Sequence, residues 1–229
     1  MDFRLAIITL PEFFSGETDC IAKLSEAGAE YLHLRKPGCS ETQMRDLIER
    51  IPPRYRRRLI VHRHFGLAKE YGLKGIHLSS SHESIPEGFE GMTIGRSCHT
   101  VEEASRFGKI CDYVFLSPIF DSISKQGYRS AFSLEKLSVA FRDGSLGKNV
   151  MALGGIDDTN IVKVAETGFA GAALLGYIWG KHEIWEKNDI PEKHDIPEKT
   201  DFPGRMDETV GKFLRIREKL SYFYENFHL

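Results

Sequence analysis

The residues that could do chemistry in this chain stand at the ends of short apolar runs. In Tyr31–Arg35, read YLHLR, the alternation of a strand puts His33 and Arg35 on one face and Leu32 and Leu34 on the other. The run LIVHR places Ile60 and His62 together in the same way, and GIHLS places His77 with Ser79. His99, in the stretch IGRSCHT, lies just past one run and just before helical periodicity. An imidazole there suits a general acid or base, or else a helix cap. Ser122, Ser124 and Lys125 offer two hydroxyls and an ammonium within four residues. They suit phosphate or pyrophosphate oxygens, or form an ordinary polar loop. Gly154 with Gly155, and Gly176 further on, leave backbone N–H groups open to a phosphate or else make tight turns. His62, His64, His77 and His82 lack the spacing of a closed zinc site, and no metal is assigned.

The elements that must position these residues repeat. Strands are expected at Leu5–Thr9, Tyr31–Arg35, Leu59–Arg63, Gly75–Ser79, Thr93–Ser97, Tyr113–Ser117, Val150–Gly154 and Gly171–Gly176. Helical spacing lies between most of them. Ile21, Leu24 and Ala27 share a face; so do Met44, Leu47, Ile48 and Ile51 after an N-cap at Ser40; Val101 and Ala104 follow Thr100. Eight strands alternating with helices predict a parallel α/β sheet closed as a (β/α)8 TIM barrel, in a single domain over 1–229. A doubly wound open sheet is disfavoured because no G-x-G-x-x-G follows the first strand. The connection from Ser79 to Thr93 is too short and too rich in Pro and Gly for a full helix. In such a barrel the active site lies at the carboxyl ends of the strands, which is where the residues above fall.

One region departs from the repeat. Residues 181–205 contain NDIPEK, HDIPEK and TDFPGR in tandem, and Pro191, Pro197 and Pro203 oppose a regular helix. This Pro-rich charged insertion is expected to be exposed, with residues 206–229 returning as the last barrel helix on the stripe Val210, Phe213, Leu214, Ile216 and Leu220.

Composition narrows the partners. Lys plus Arg number 31 and Asp plus Glu 33, a net charge of −2 that makes no general case for nucleic acid. The run Arg54–Arg58 is expected to be a solvated loop before a strand. No apolar run reaches the ~18 residues of a membrane span. The start, with Asp2 and Arg4 leading straight into LAIITL, does not read as a signal peptide. Cys20, Cys39, Cys98 and Cys111 form no C-x-x-C, which fits free thiols and a cytoplasmic location.

The order and spacing of YLHLRK, IGRSCHTVEEA, CDYVFLSPIFDSISKQG and VMALGGID resemble the thiamine phosphate synthase superfamily, including its thiazole tautomerase branch, from about Leu5 to Ile178. The resemblance implies a barrel that binds a thiazole phosphate in thiamine biosynthesis, as a homodimer. A synthase would join hydroxymethylpyrimidine pyrophosphate to the thiazole phosphate, with Mg²⁺ held by two aspartates. Where the first is expected, in an Asn-Asp pair, the chain reads His62-Arg63. Where the second is expected, in Gly-Gln-x-Asp, it reads Ser79 through Ser84 without an aspartate. The family's Gln and Lys on either side of Arg35 are His33 and Pro37. Arg35, Ser122, Ser124, Lys125, Gly154 and Gly155 match its anion-binding positions. His99 matches the proton carrier of the tautomerase branch, which needs no metal.

Three functions compete on these residues. The favoured one is metal-independent tautomerisation of a thiazole phosphate carboxylate, an isomerase with no cofactor. The second is a thiamine phosphate synthase, a transferase, with an atypical Mg²⁺ site using Glu83 or His82. The third is a non-catalytic binder that keeps only the phosphate site. Residues 180–205 have few large apolar side chains to bury. Replacing them with a short Gly/Ser linker is therefore expected to leave the melting temperature within a few degrees of the parent; a larger loss, or aggregation, would show that the segment packs on the barrel.

Overall fold

The alternation seen in the sequence closes on itself. In the computed structural model, which describes residues 3–121, 132–180 and 202–227, eight parallel strands form a closed barrel in the order β1 to β8. They are β1 Arg4–Ile8, β2 Tyr31–Leu34, β3 Leu59–Val61, β4 Gly75–Leu78, β5 Thr93–Cys98, β6 Tyr113–Leu116, β7 Val150–Leu153 and β8 Gly171–Leu174. Each ends within two residues of its expected end, because the ladder stops where the chain turns out over the rim. The helices are α1 Glu17–Glu26, α2 Glu41–Arg50, α3 Gly66–Glu70, α4 Val101–Phe107, α5 Leu134–Arg142, α6 Ile161–Thr167, α7 Gly176–Trp179 and α8 Phe202–Phe227.

Local chemistry sets several helix starts. Ser40 caps α2 in a capping box with Gln43, and Thr100 caps α4 by accepting from the Glu103 N–H. No helix joins β4 to β5. The basic run is a 3₁₀ segment, Pro53–Arg58, and not simply a solvated loop. Its Tyr55 is buried, and Arg58 donates to the carbonyls of Ser25 and Ala29. The last helix begins at Phe202, four residues before the expected position, with Pro203 in its first turn, where a missing N–H costs nothing. Of the hexads only residues 202–205 are described.

Burial divides the apolar residues into two sets. The larger lies between strands and helices and includes Leu32, Leu34, Val61, Ile76 and Leu116 from the outward faces of the strands, with Phe213 and Ile216 of α8. The smaller fills the barrel interior: Ala6, Ile8, Ile60, Tyr113, Phe115, Met151 and Ala173. Tyr113 fits inside because its register partner is Gly95, where any Cβ would collide with the phenol ring.

One ion pair ties the β1–α1 loop to the end of β2. Lys36 is 1% exposed, and its ammonium donates to the carbonyls of Leu10 and Glu12 at 2.8 and 2.7 Å and to Glu17 Oε1 at 2.5 Å. All three N–H groups are thus used, and the Phe13 ring lies 4.9 Å from the charge. Burial pushes the Glu17 carboxyl up to about 7, with Lys36 opposing. Removing one partner of such a pair leaves the other charge buried alone. Lys36→Met is expected to cost ~3–5 kcal/mol in chemical denaturation. The double variant Lys36→Met, Glu17→Leu should recover most of that; no recovery would mean that the lysine acts through its carbonyl contacts alone.

Candidate functional site

The barrel mouth is assembled from strand ends. His33 of β2 pairs in register with Ile60 of β3, and His77 of β4 with Gly95 of β5. Two-residue alternation then directs His33, His62 and His77 into the same interior. His33 and His77 are fully buried, while His62, at the end of β3, is half-buried toward the rim.

The three imidazoles meet. His33 Nδ1 lies 3.0 Å from His62 Nε2, and the His62 and His77 rings stack with centroids 4.5 Å apart. Tyr113 Oη stands 3.4 Å from His33 Nε2 and 3.1 Å from His77 Nδ1, and His77 Nε2 lies 2.9 Å from Ser97 Oγ. A neutral imidazole has one N–H and one lone pair. The run His62, His33, Tyr113, His77, Ser97 can therefore be satisfied throughout without a charge. Burial holds His33 down to about 3 and keeps His62 and His77 well below the usual imidazole range, with Arg35 adding repulsion at the latter two. One ligand atom from each of the three imidazoles lies within 4.8 Å of the others, so the group could hold a metal ion. His64 and His82 do not join it: His64 Nε2 is bonded to the Cys39 carbonyl, and His82 Nδ1 to Ser79 Oγ.

Arg35 follows β2 at this rim. Its backbone N–H donates to Thr9 Oγ1, but its half-buried guanidinium makes no hydrogen bond to any described residue. Arg63 stands exposed after β3. No carboxylate belongs to the imidazole group.

On the other side of the mouth, His99 is exposed at the end of β5, held by the capping Glu103, which accepts from its backbone N–H at 2.7 Å. Its Nδ1 lies 3.1 Å from the Ser117 carbonyl, which can only accept. The proton of a neutral His99 is thereby placed on Nδ1, and the lone pair on Nε2. Gly154 and Gly155 follow β7 with φ of 102° and 62°. A Cβ on Gly154 would press on Pro118, and one on Gly155 on Phe120 and the Asp121 carbonyl. The turn itself thus requires both glycines, whether or not a phosphate sits there. Gly176 opens the short helix α7, whose Trp179 donates to the Ile8 carbonyl at the end of the neighbouring strand β1. Ser122, Ser124 and Lys125 lie outside the described residues.

Sequence reasoning placed His33, His62 and His77 on inward faces but did not foresee that they would touch. It also missed Tyr113 and Ser97. Both occupy inward positions of β6 and β5, which strict alternation from Phe115 and Gly95 would have picked out. Lys36 carried no signal beyond its place after a strand.

A closed parallel (β/α)8 barrel with polar groups gathered at the carboxyl ends of its strands defines the enzyme-type barrels. Residues 5–178 match the model of the thiamine monophosphate synthase family, and the chain belongs to that family. A thiamine-phosphate synthase of Dictyoglomus turgidum is 30% identical over 179 residues, 73% of this chain and 78% of that protein. A crystal structure of thiamine phosphate pyrophosphorylase from Bacteroides thetaiotaomicron superposes with a TM-score of 0.77 at 31% identity, covering 96% of this chain and 98% of that one. The thiamine phosphate pyrophosphorylase from Pyrococcus furiosus shares the fold at a TM-score of 0.66 and 21% identity. Among the described residues no helix is long and apolar enough to cross a membrane.

The buried imidazoles set an acid limit on stability. Each stays neutral in the fold but takes a proton at about 6.5 when unfolded, so unfolding binds protons below that pH. Glu17, raised in the fold, works the other way between 4.5 and about 7, one proton against three. Chelator-treated protein is therefore expected to lose stability as pH falls from 6.5 toward 4, with a net uptake of about two protons on unfolding near pH 5.5. Denaturation measured at several pH values checks this; stability that rises on acidification would contradict the neutral cluster.

Proposed function

We propose that this chain is a thiamine-phosphate synthase that joins hydroxymethylpyrimidine pyrophosphate to a thiazole phosphate and releases pyrophosphate. The relatives that bear this name support the reaction class. The structural observation that carries the reading is Arg35. A half-buried guanidinium that donates to none of the described residues, with the Glu12 carboxylate acting on its charge from a distance, is a ready site for a polyanion beside three buried imidazoles.

The Mg²⁺ that the resemblance implies does not fit this mouth. A hard cation takes carboxylate and water oxygens. The third and fourth strands here end in His62-Arg63 and in the serines after His77, and the groups that meet are nitrogens. The chain's own part in the reaction is then electrostatic. Arg35 and Arg63 would meet the charge that develops on the departing pyrophosphate, where fixed donors act without reorganisation. Gly154, Gly155 and the start of α7 at Gly176 would hold the thiazole phosphate; the resemblance adds Ser122, Ser124 and Lys125 to the anion-binding positions. The dry interior below the imidazoles would keep water from the reacting carbon.

One observation favours a second reading. His99 has its Nδ1 proton fixed by the Ser117 carbonyl and its Nε2 lone pair left free. That is the arrangement of a general base, and it suits tautomerisation of a thiazole phosphate carboxylate. The two reactions separate in one set of assays. Pyrophosphate release from both substrates together is expected, and Arg35→Met should lower kcat/KM for it by about a hundredfold. His99→Ala should leave most of it. Isomerisation of the carboxylate with no joined product, abolished by about two to four powers of ten in His99→Ala, would replace the synthase reading with the isomerase.

A further inference from the structure

We propose that His33, His62 and His77 form a binding site for a borderline divalent transition metal of the Zn²⁺ class, and not for Mg²⁺. Three imidazoles with one open position are a donor set that zinc uses in catalytic sites. Nitrogen donors select Zn²⁺, Co²⁺ or Ni²⁺ over the hard cations. The three strands β2, β3 and β4 are neighbours in the barrel, and each contributes one imidazole at its carboxyl end.

The surroundings fit a metal site beyond the three nitrogens. Ligating histidines are commonly oriented by a hydrogen bond from the other ring nitrogen. Here Tyr113 Oη approaches His33 Nε2, and His77 has a hydroxyl at each ring nitrogen, Tyr113 Oη at Nδ1 and Ser97 Oγ at Nε2, so that it would exchange one of them for the metal and keep the other as its orienting bond. His33 Nδ1 and His62 Nε2 face each other at 3.0 Å. A metal bound there takes the place of the proton they share, and that proton moves to His62 Nδ1, so the imidazole stays neutral. His62, half-buried at the rim, gives the entry path. The ion's fourth position would open toward the mouth beside Arg35. Because that guanidinium repels a bare cation, its removal should tighten metal binding.

The test measures binding and is independent of turnover, so it is distinct from the test of the synthase reading. Full-length protein stripped with chelator is titrated with Co²⁺, followed by its visible d–d absorption, and with Zn²⁺ by calorimetry. One equivalent of Co²⁺ is expected to give a four-coordinate spectrum that Zn²⁺ abolishes and Mg²⁺ leaves untouched. His62→Ala should weaken binding at least tenfold while keeping the metal-free melting temperature, and His77→Asn should do the same if it folds. Arg35→Met should bind Co²⁺ more tightly than the parent. The inference falls if the stripped protein takes up no Co²⁺ or Zn²⁺ at micromolar concentration, or if His62→Ala binds as the parent does.

Discussion

Closure of the barrel is the constraint from which the rest follows. Eight strands can meet edge to edge only if they tilt, and the tilt fixes which residues of neighbouring strands share a level inside. At each level the interior then has room for side chains from alternate strands only, and none to spare. Gly95 yields its space to Tyr113, and Ala6 and Ala173 stay small beside Phe115 and Met151. The apolar floor made this way excludes water from the layer above, where the histidines sit. That dry floor extends the neutral range of the imidazoles well below their ordinary one.

The mouth has two chemically different halves. At β2 to β4 the groups are imidazoles and arginines, with no carboxylate in the imidazole group. At β5 to β8 they are a single oriented imidazole, a glycine turn and the short helix α7. This asymmetry agrees with a substrate that carries negative charge at both ends, one end at each side. It also explains why a family match by itself leaves the reaction open. The fold and the glycine turn after β7 are held by packing and backbone geometry. The β2–β4 rim depends on the side chains of a few strand-end residues, and those are the ones that differ here.

The Lys36–Glu17 pair shows how the scaffold steadies that rim. Lys36 directly follows Arg35, and its three donors are spent on the β1–α1 loop. The backbone under Arg35 is thereby fixed on both sides, by Thr9 Oγ1 at its N–H and by the buried ammonium one residue on. An arginine whose Cα is already immobile would lose less entropy on meeting an anion, as the proposed role of Arg35 requires.

The sequence by itself determined the period, the number of strands and the face on which each strand-end residue stands. His33, His62 and His77 were legible as inward because alternation along a strand is a local property, and the capping residues Ser40 and Thr100 were legible for the same reason. The start of α8 was misjudged because a proline in a first turn looks in sequence like a proline that ends a helix. Only the tertiary structure decided that three histidines separated by 29 and 15 positions touch, that a tyrosine from β6 bridges two of them, and that Lys36 is buried. Those facts depend on strand tilt and on the path of a loop, which arise from contacts between residues far apart in the chain and leave no periodic trace along it.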